Sequence, residues 1–145
     1  MLKKSMTTDE SKTTILIRLM VGTVFFSEGI QKFLFPNTLG VGRFVKIGLP
    51  FPEFLGSFVG FFEIFCGVLI LIGLFTRLAT IPIITIMIVA IATTKTAVLK
   101  SDGLWAMLHG SRTDWAMLLG GIFLLIEGAG KWSLDKKLNH NGRKE

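Results

Sequence analysis

The chain has 145 residues, enough for one domain, and a net charge of +6 from 16 Lys and Arg against 10 Asp and Glu. Half of it is hydrophobic and its mean hydropathy is +0.61, which is high for a soluble domain. The single cysteine, Cys66, excludes an intramolecular disulfide and a dithiol relay within the chain.

Residues 1–13 are polar and read as a disordered N-terminal tail. Four apolar stretches come after it, at about 14–35, 53–74, 77–99 and 113–130. At ~1.5 Å per residue each is long enough to cross a hydrocarbon core of roughly 30 Å. A soluble bundle would need a polar face on every helix, and "IPIITIMIVAIA" has almost none. The expected fold is therefore an all-α membrane protein, a four-transmembrane-helix bundle over residues 14–130. The first stretch is longer than the roughly 7–15 apolar residues of a cleaved signal and no A-x-A-like site comes after it, so it is expected to be retained.

In the first connection, Pro50 and Pro52 of "GLPFPEF" block a continuous helix and favour an extended turn. The link "GLFTR" is so short that the second and third helices must be antiparallel neighbours. Pro82 is expected to bend the third helix near its cytoplasmic end. In the last connection "WAML" occurs at 105–108 and again at 115–118, the first copy reading as a short interfacial helix and the second as the opening of the fourth span. Ser111 and Asp114 have the spacing of a capping box there. Trp115 and Trp132 bracket the fourth span as two aromatic belts. Residues 131–145, "KWSLDKKLNHNGRKE", read as a basic cytoplasmic tail.

With four spans both termini lie on one side. That side would carry Lys3, Lys4, Lys12, Arg77, Lys131, Lys136, Lys137, Arg143 and Lys144, and the other Arg43, Lys46, Lys100 and Arg112. The bias places the N and C termini in the cytoplasm. The same distribution assigns the positive charge to anionic lipid headgroups and not to nucleic acid.

Helical spacing places Arg18, Gly22, Phe25, Gly29 and Lys32 within about 40° of one line, with Glu28 at the edge of the stripe. Gly56, Gly60, Glu63 and Gly67 share a face of the second helix, and Asp114, Gly121 and Gly128 a face of the fourth. The glycine pairs Gly22 and Gly29, Gly60 and Gly67, and Gly121 and Gly128 recur at the same spacing, as expected of helices packed closely in lipid. Glu63 falls near the bilayer midplane in this groove, where a charge costs roughly 2.5–3.5 kcal/mol unless it is paired, protonated or beside a wet cavity.

By depth, Glu28, Gln31, Lys32, Lys95 and Asp114 fall in the outer half with Glu63 just below them. Together they form a candidate polar cavity for a ligand or protons. Glu28 and Lys32 form an i, i+4 pair. Arg18, Arg77 and Glu127 fall in the inner half as a cytoplasmic-side charge cluster, with Arg18 and Arg77 read as snorkelling anchors. Two readings of the outer cluster stand side by side: an ion-pair network that fixes register, and a proton-linked or ligand-binding cavity. The two histidines, His109 and His140, lie outside the spans, which argues against haem inside the bundle. The sequence has no metal-ligand spacing, no P-loop and no G-x-S-x-G.

"RLMVGTVFFSEGIQKF" resembles the R-x3-G-x2-F-x3-G-x2-K opening of the DoxX family, here Arg18, Gly22, Phe25, Gly29 and Lys32. "GLPFPEFLGSFVGFFEIFCGVLILIGLFTRLA" resembles the family's next block, with Gly48, Leu49, Pro50, Glu63, Gly67, Gly73, Leu74, Thr76 and Arg77. The resemblance covers roughly residues 14–130 and implies a four-helix integral protein of a bacterial cell (inner or plasma) membrane. It further implies a link to membrane redox or thiol-stress systems, as a subunit or accessory. The alternatives are a small transporter or proton pathway and a non-catalytic scaffold for a partner protein. No tightly bound cofactor is expected. A diffusible quinone is the candidate carrier, and the lipid bilayer, a redox partner protein and a second copy are the candidate partners.

Overall fold

The computed structural model describes residues 11–141, with side chains placed to residue 139. The disordered tail expected at the N-terminus thus lies outside the described residues for positions 1–10, as do the last four residues and the side chain of His140. The described residues are all helical or in turns, with no strand among them. In chain order the helices are α1 (Thr14–Leu34), α2 (Val41–Lys46), α3 (Pro52–Ile72), α4 (Thr76–Ala90), a π-helical turn (Ile91–Lys95), α5 (Thr96–Gly110), α6 (Arg112–Glu127) and α7 (Leu134–Asn141).

Three helical runs, Thr14–Leu34, Pro52–Ile72 and Thr76–Gly110, are long and apolar enough to cross a membrane. The last cannot be one straight helix. Gly103 (φ 86°, ψ 178°) breaks it, and the Gly110 carbonyl lies 2.7 Å from Lys95 Nζ. Fifteen residues of straight helix would separate those backbones by about 22 Å, so the chain folds back at Gly103. α6 has 16 residues, about 24 Å at ~1.5 Å per residue. It stops at Gly128 (φ 82°), short of the expected boundary at residue 130 and of Trp132.

Glycine seams set the packing. A Cβ on Gly29 would sit 2.7 Å from the Gly60 carbonyl oxygen, and one on Gly67 would sit 2.8 Å from the Phe26 nitrogen and 3.1 Å from the Gly22 carbonyl oxygen. Backbone therefore meets backbone along an antiparallel α1–α3 pair, with Gly22 opposite Gly67 and Gly29 opposite Gly60. The third pair behaves differently: Gly121 faces Ile84 of α4, while Gly128 lies beyond the end of α6. Between the helices Val21, Phe25, Cys66, Ile70, Ala79, Ile83, Met87, Met117 and Leu124 form the buried core.

The helix continues through Pro82 from Thr76 to Ala90, with a π turn at Ile91–Lys95 and a break at Gly103 after it. One local expectation is corrected. Ser111 makes no capping bond to α6; its hydroxyl donates to the Leu108 carbonyl, and Asp114 is drawn away to Lys95 at 2.9 Å. The basic segment from residue 131 contains α7, whose first-turn Asp135 is buried.

Candidate functional site

Two groups of buried charge occupy opposite ends of α1. The first is around Arg18, which is 3% exposed and so does not snorkel. Its Nε donates to Ile70 O at 2.9 Å, one terminal nitrogen to Ala129 O at 3.1 Å and Trp132 O at 2.6 Å, and the other to Leu71 O at 2.6 Å. The carbonyls at the C-terminus of α3 are left over by helix geometry, and a guanidinium is a fitting multiple donor for them. Gly73 (φ +71°) leaves room for it: a Cβ there would be 2.7 Å from Arg18 Cζ.

Beside it, Asp135 accepts the Phe75 amide at 2.7 Å and the Thr76 amide at 3.1 Å. It thereby caps α4 from 59 residues away in sequence and holds Phe75 in a left-handed conformation (φ 47°). Ser133 supplies the turn before α7, donating to Gly130 O and accepting from the Lys136 amide. Arg77 donates to Ile126 O at 2.6 Å, and Glu127 ends α6 half-buried. Of the expected cluster Arg18, Arg77 and Glu127, only Arg18 is sealed in. Asp135, the residue that completes the node, was missed. Its one sequence signal is that it is the lone acid in "KWSLDKK".

The second group lines a cavity of about 450 Å³ between α1, α2, α3, α4 and α6. Lys32 from α1 meets Glu63 from α3 at 2.6 Å, with side chains 9% and 5% exposed. This pair is a product of the glycine seam, which brings the helices close enough for the two side chains to meet. Lys32 is thus paired across helices, and not along its own helix with Glu28. Glu28 and Asp114 also line the cavity. Lys95 is not in the wall; it reaches Asp114 at 2.9 Å and Gly110 O at 2.7 Å from the π turn. Gln31 is outside the cavity, bonded to Ser27 on α1.

The rest of the wall is mostly apolar, including Phe25, Phe44, Phe58, Met87 and Met117. Phe58, Thr85 and Val89 line the wall between α3 and α4, and Phe58 and Val89 are exposed there and mark an edge. Arg43 of α2 was not among the expected site residues, yet it lines the cavity and is exposed. It sits in the loop region whose placement the helical spacing of the long runs says nothing about. Thr93 and Thr94 line the wall, but their hydroxyls return to Val89 and Ala90 carbonyls. Among the described residues no group of three or more His, Cys, Asp or Glu could hold a metal.

The combination of a buried cross-helix ion pair, motif glycines and a cavity under them can be set against known proteins. The DoxX family model matches residues 13–96. The chain belongs to the DoxX family. The matched segment contains Arg18, Lys32 and Glu63, so both charge groups are anchored within it. This DoxX protein is 50% identical over 133 residues to "Uncharacterized membrane protein Rv3486" of Mycobacterium tuberculosis, covering 88% of this chain and 82% of the relative. It is 32% identical over 123 residues to "Putative oxidoreductase CatD" of Bacillus subtilis, covering 84% of each. It is a membrane protein with relatives in bacteria. No solved structure matches it.

Proposed function

We propose that this DoxX protein spans a bacterial cell membrane four times with both termini cytoplasmic, and that it is a subunit or accessory of a membrane redox system that holds a quinone-like headgroup in the cavity. One observation carries the reading: a buried Lys32–Glu63 pair faces an apolar cavity whose exposed edge lies between two membrane-spanning helices. A carrier dissolved in lipid would reach such a site sideways. The name of the Bacillus relative is consistent with redox chemistry.

The residues fit such a ring. Phe25, Phe44 and Phe58 offer aromatic surface, and Lys32 and Arg43 are donors for a carbonyl oxygen. A bound quinone would supply two-electron chemistry that none of these side chains can. Lys32 would orient the carbonyl, with Glu63 as its counter-ion in a low-dielectric wall.

The test is a titration in lipid nanodiscs with a soluble quinone analogue. Trp115 is next to the wall residue Asp114, so it serves as the reporter after Trp105→Phe and Trp132→Phe. Saturable quenching is expected. It should be lost when Lys32→Met and Glu63→Leu are combined, a double change that removes the donor without leaving a lone buried charge. Absence of saturable binding to folded protein overturns the quinone reading. Ion or solute flux in vesicles of pure protein would then favour a transporter, and stable co-purification with a partner would favour a scaffold. For topology, Cys66 is first replaced. Exposed Lys46→Cys and Asp102→Cys should then react with impermeant reagent from outside intact cells. Labelling of a cysteine in the C-terminal segment from outside would reverse the orientation.

A further inference from the structure

Five ionisable side chains line the cavity: Glu28, Lys32, Arg43, Glu63 and Asp114. Lys32 and Glu63 neutralise one another, and Asp114 is neutralised by Lys95. Arg43 is exposed, where water weakens its field, and it is in no ion pair with a wall carboxylate among the described residues. Glu28 is left. It is half-buried, one turn before Lys32, and has no hydrogen-bond or ion-pair partner among the described residues. Glu28 is therefore the wall carboxylate without a direct partner, and Arg43 the wall cation not spent in a pair.

A carboxylate without a direct partner beside an apolar wall is a fitting counter-charge for a cation. A bare metal ion would be poorly served, because the nearby Thr93 and Thr94 hydroxyls are spent on their own helix and no metal-holding group is present among the described residues. Around the charge stand Phe25, Phe44, Phe58, Met87 and Met117. Aromatic faces attract organic cations, and methionine adapts to irregular apolar shapes.

We infer that the cavity binds a lipid-soluble organic monocation, an aromatic ring bearing an ammonium or quaternary ammonium group, with Glu28 as its counter-ion. The other charged groups of the site are Lys32 on α1, Glu63 on α3, Arg43 on α2 and Asp114 on α6, the last held by Lys95. The inference rests on the cavity being a ligand site, and not on its ligand being a quinone.

The probe is phenyltrimethylammonium, titrated against the protein carrying Trp115 alone in nanodiscs of zwitterionic lipid. Its neutral isostere tert-butylbenzene is titrated in parallel. The cation should bind at least tenfold more tightly than the isostere. Glu28→Gln should weaken the cation at least tenfold and leave the isostere unchanged, while Glu28→Asp keeps the preference. Equal binding of the two probes, or an unchanged cation affinity in Glu28→Gln, overturns the inference. If the quinone analogue saturates while the cation does not, this inference alone falls. If all three fail to bind folded protein, the ligand-site reading falls with it.

Discussion

The two ends of α1 dispose of buried charge in opposite ways. At one end Arg18 is surrounded by four backbone hydrogen bonds from two separate stretches of chain, with Asp135 nearby tying down the α3–α4 turn. No space remains there, since even a methyl on Gly73 would collide with the guanidinium. At the other end Lys32 and Glu63 meet side chain to side chain, Glu28 is left over, and a cavity of about 450 Å³ adjoins them. A buried charge saturated by carbonyls is a fastener. A buried charge beside open volume is a place where something else can bind.

The largest expected effect falls on the saturated end. Arg18→Leu strands the carbonyls of Leu71, Ala129 and Trp132 and leaves Ile70 O with only the Gly73 amide, and should cost about 3 kcal/mol or more. Thermal unfolding in detergent should show a large drop in melting temperature, and Arg18→Lys, with fewer donors, should restore only part of it. If Arg18→Leu melts like the parent, the contrast between the two ends collapses. Glu63→Leu comes next, because it leaves the Lys32 ammonium alone in a site 9% exposed, at about 3 kcal/mol. Glu63→Gln keeps the shape and should lose clearly less. Equal melting of the Leu and Gln variants would show that the pair contributes little.

Gly29→Ala tests the seam that makes the pair. Its methyl would press on the Gly60 carbonyl at 2.7 Å, for a cost of roughly 1–3 kcal/mol. A melting temperature equal to the parent's would mean that α1 and α3 slide apart freely. Lys95→Met breaks a more exposed pair, and the loss should be near ~1 kcal/mol and shrink in high salt. Smallest of all should be Glu28→Gln, which removes no partner and should shift stability by less than about 0.5 kcal/mol. A large loss there would reveal Glu28 as a fastener too.

Much of this arrangement could be read from spacing. Gly22, Gly29, Gly60 and Gly67 announce close helices because the period of about 100° per residue is set by backbone geometry alone. Glu63 among them had to point at a neighbour. Which neighbour was beyond the sequence: both Lys32 and Lys95 had suitable depth, and the choice depends on the helix register fixed in three dimensions. Asp135 was hidden for a related reason. Its value lies in two amide groups far away in sequence, and no local pattern encodes that distance. Arg43 was hidden because α2 is a short helix inside a connection, whose direction no periodicity specifies. Arg18 was read as a snorkelling anchor, since the carbonyls around it appear only once α3 ends beside it.

The π turn at Ile91–Lys95 bears on how this chain can tolerate length changes. A π turn is a helix with one residue too many, absorbed locally so that the helix on either side keeps its facing. Deleting a single residue there, such as Ala92, would let the ordinary α period resume with little rotation of the segment beyond it. Along plain α-helix a one-residue deletion turns everything beyond it by about 100° and destroys the facing pattern; at this turn the extra residue is already held apart, so the chain has a place where its length can change by one residue in one genetic step.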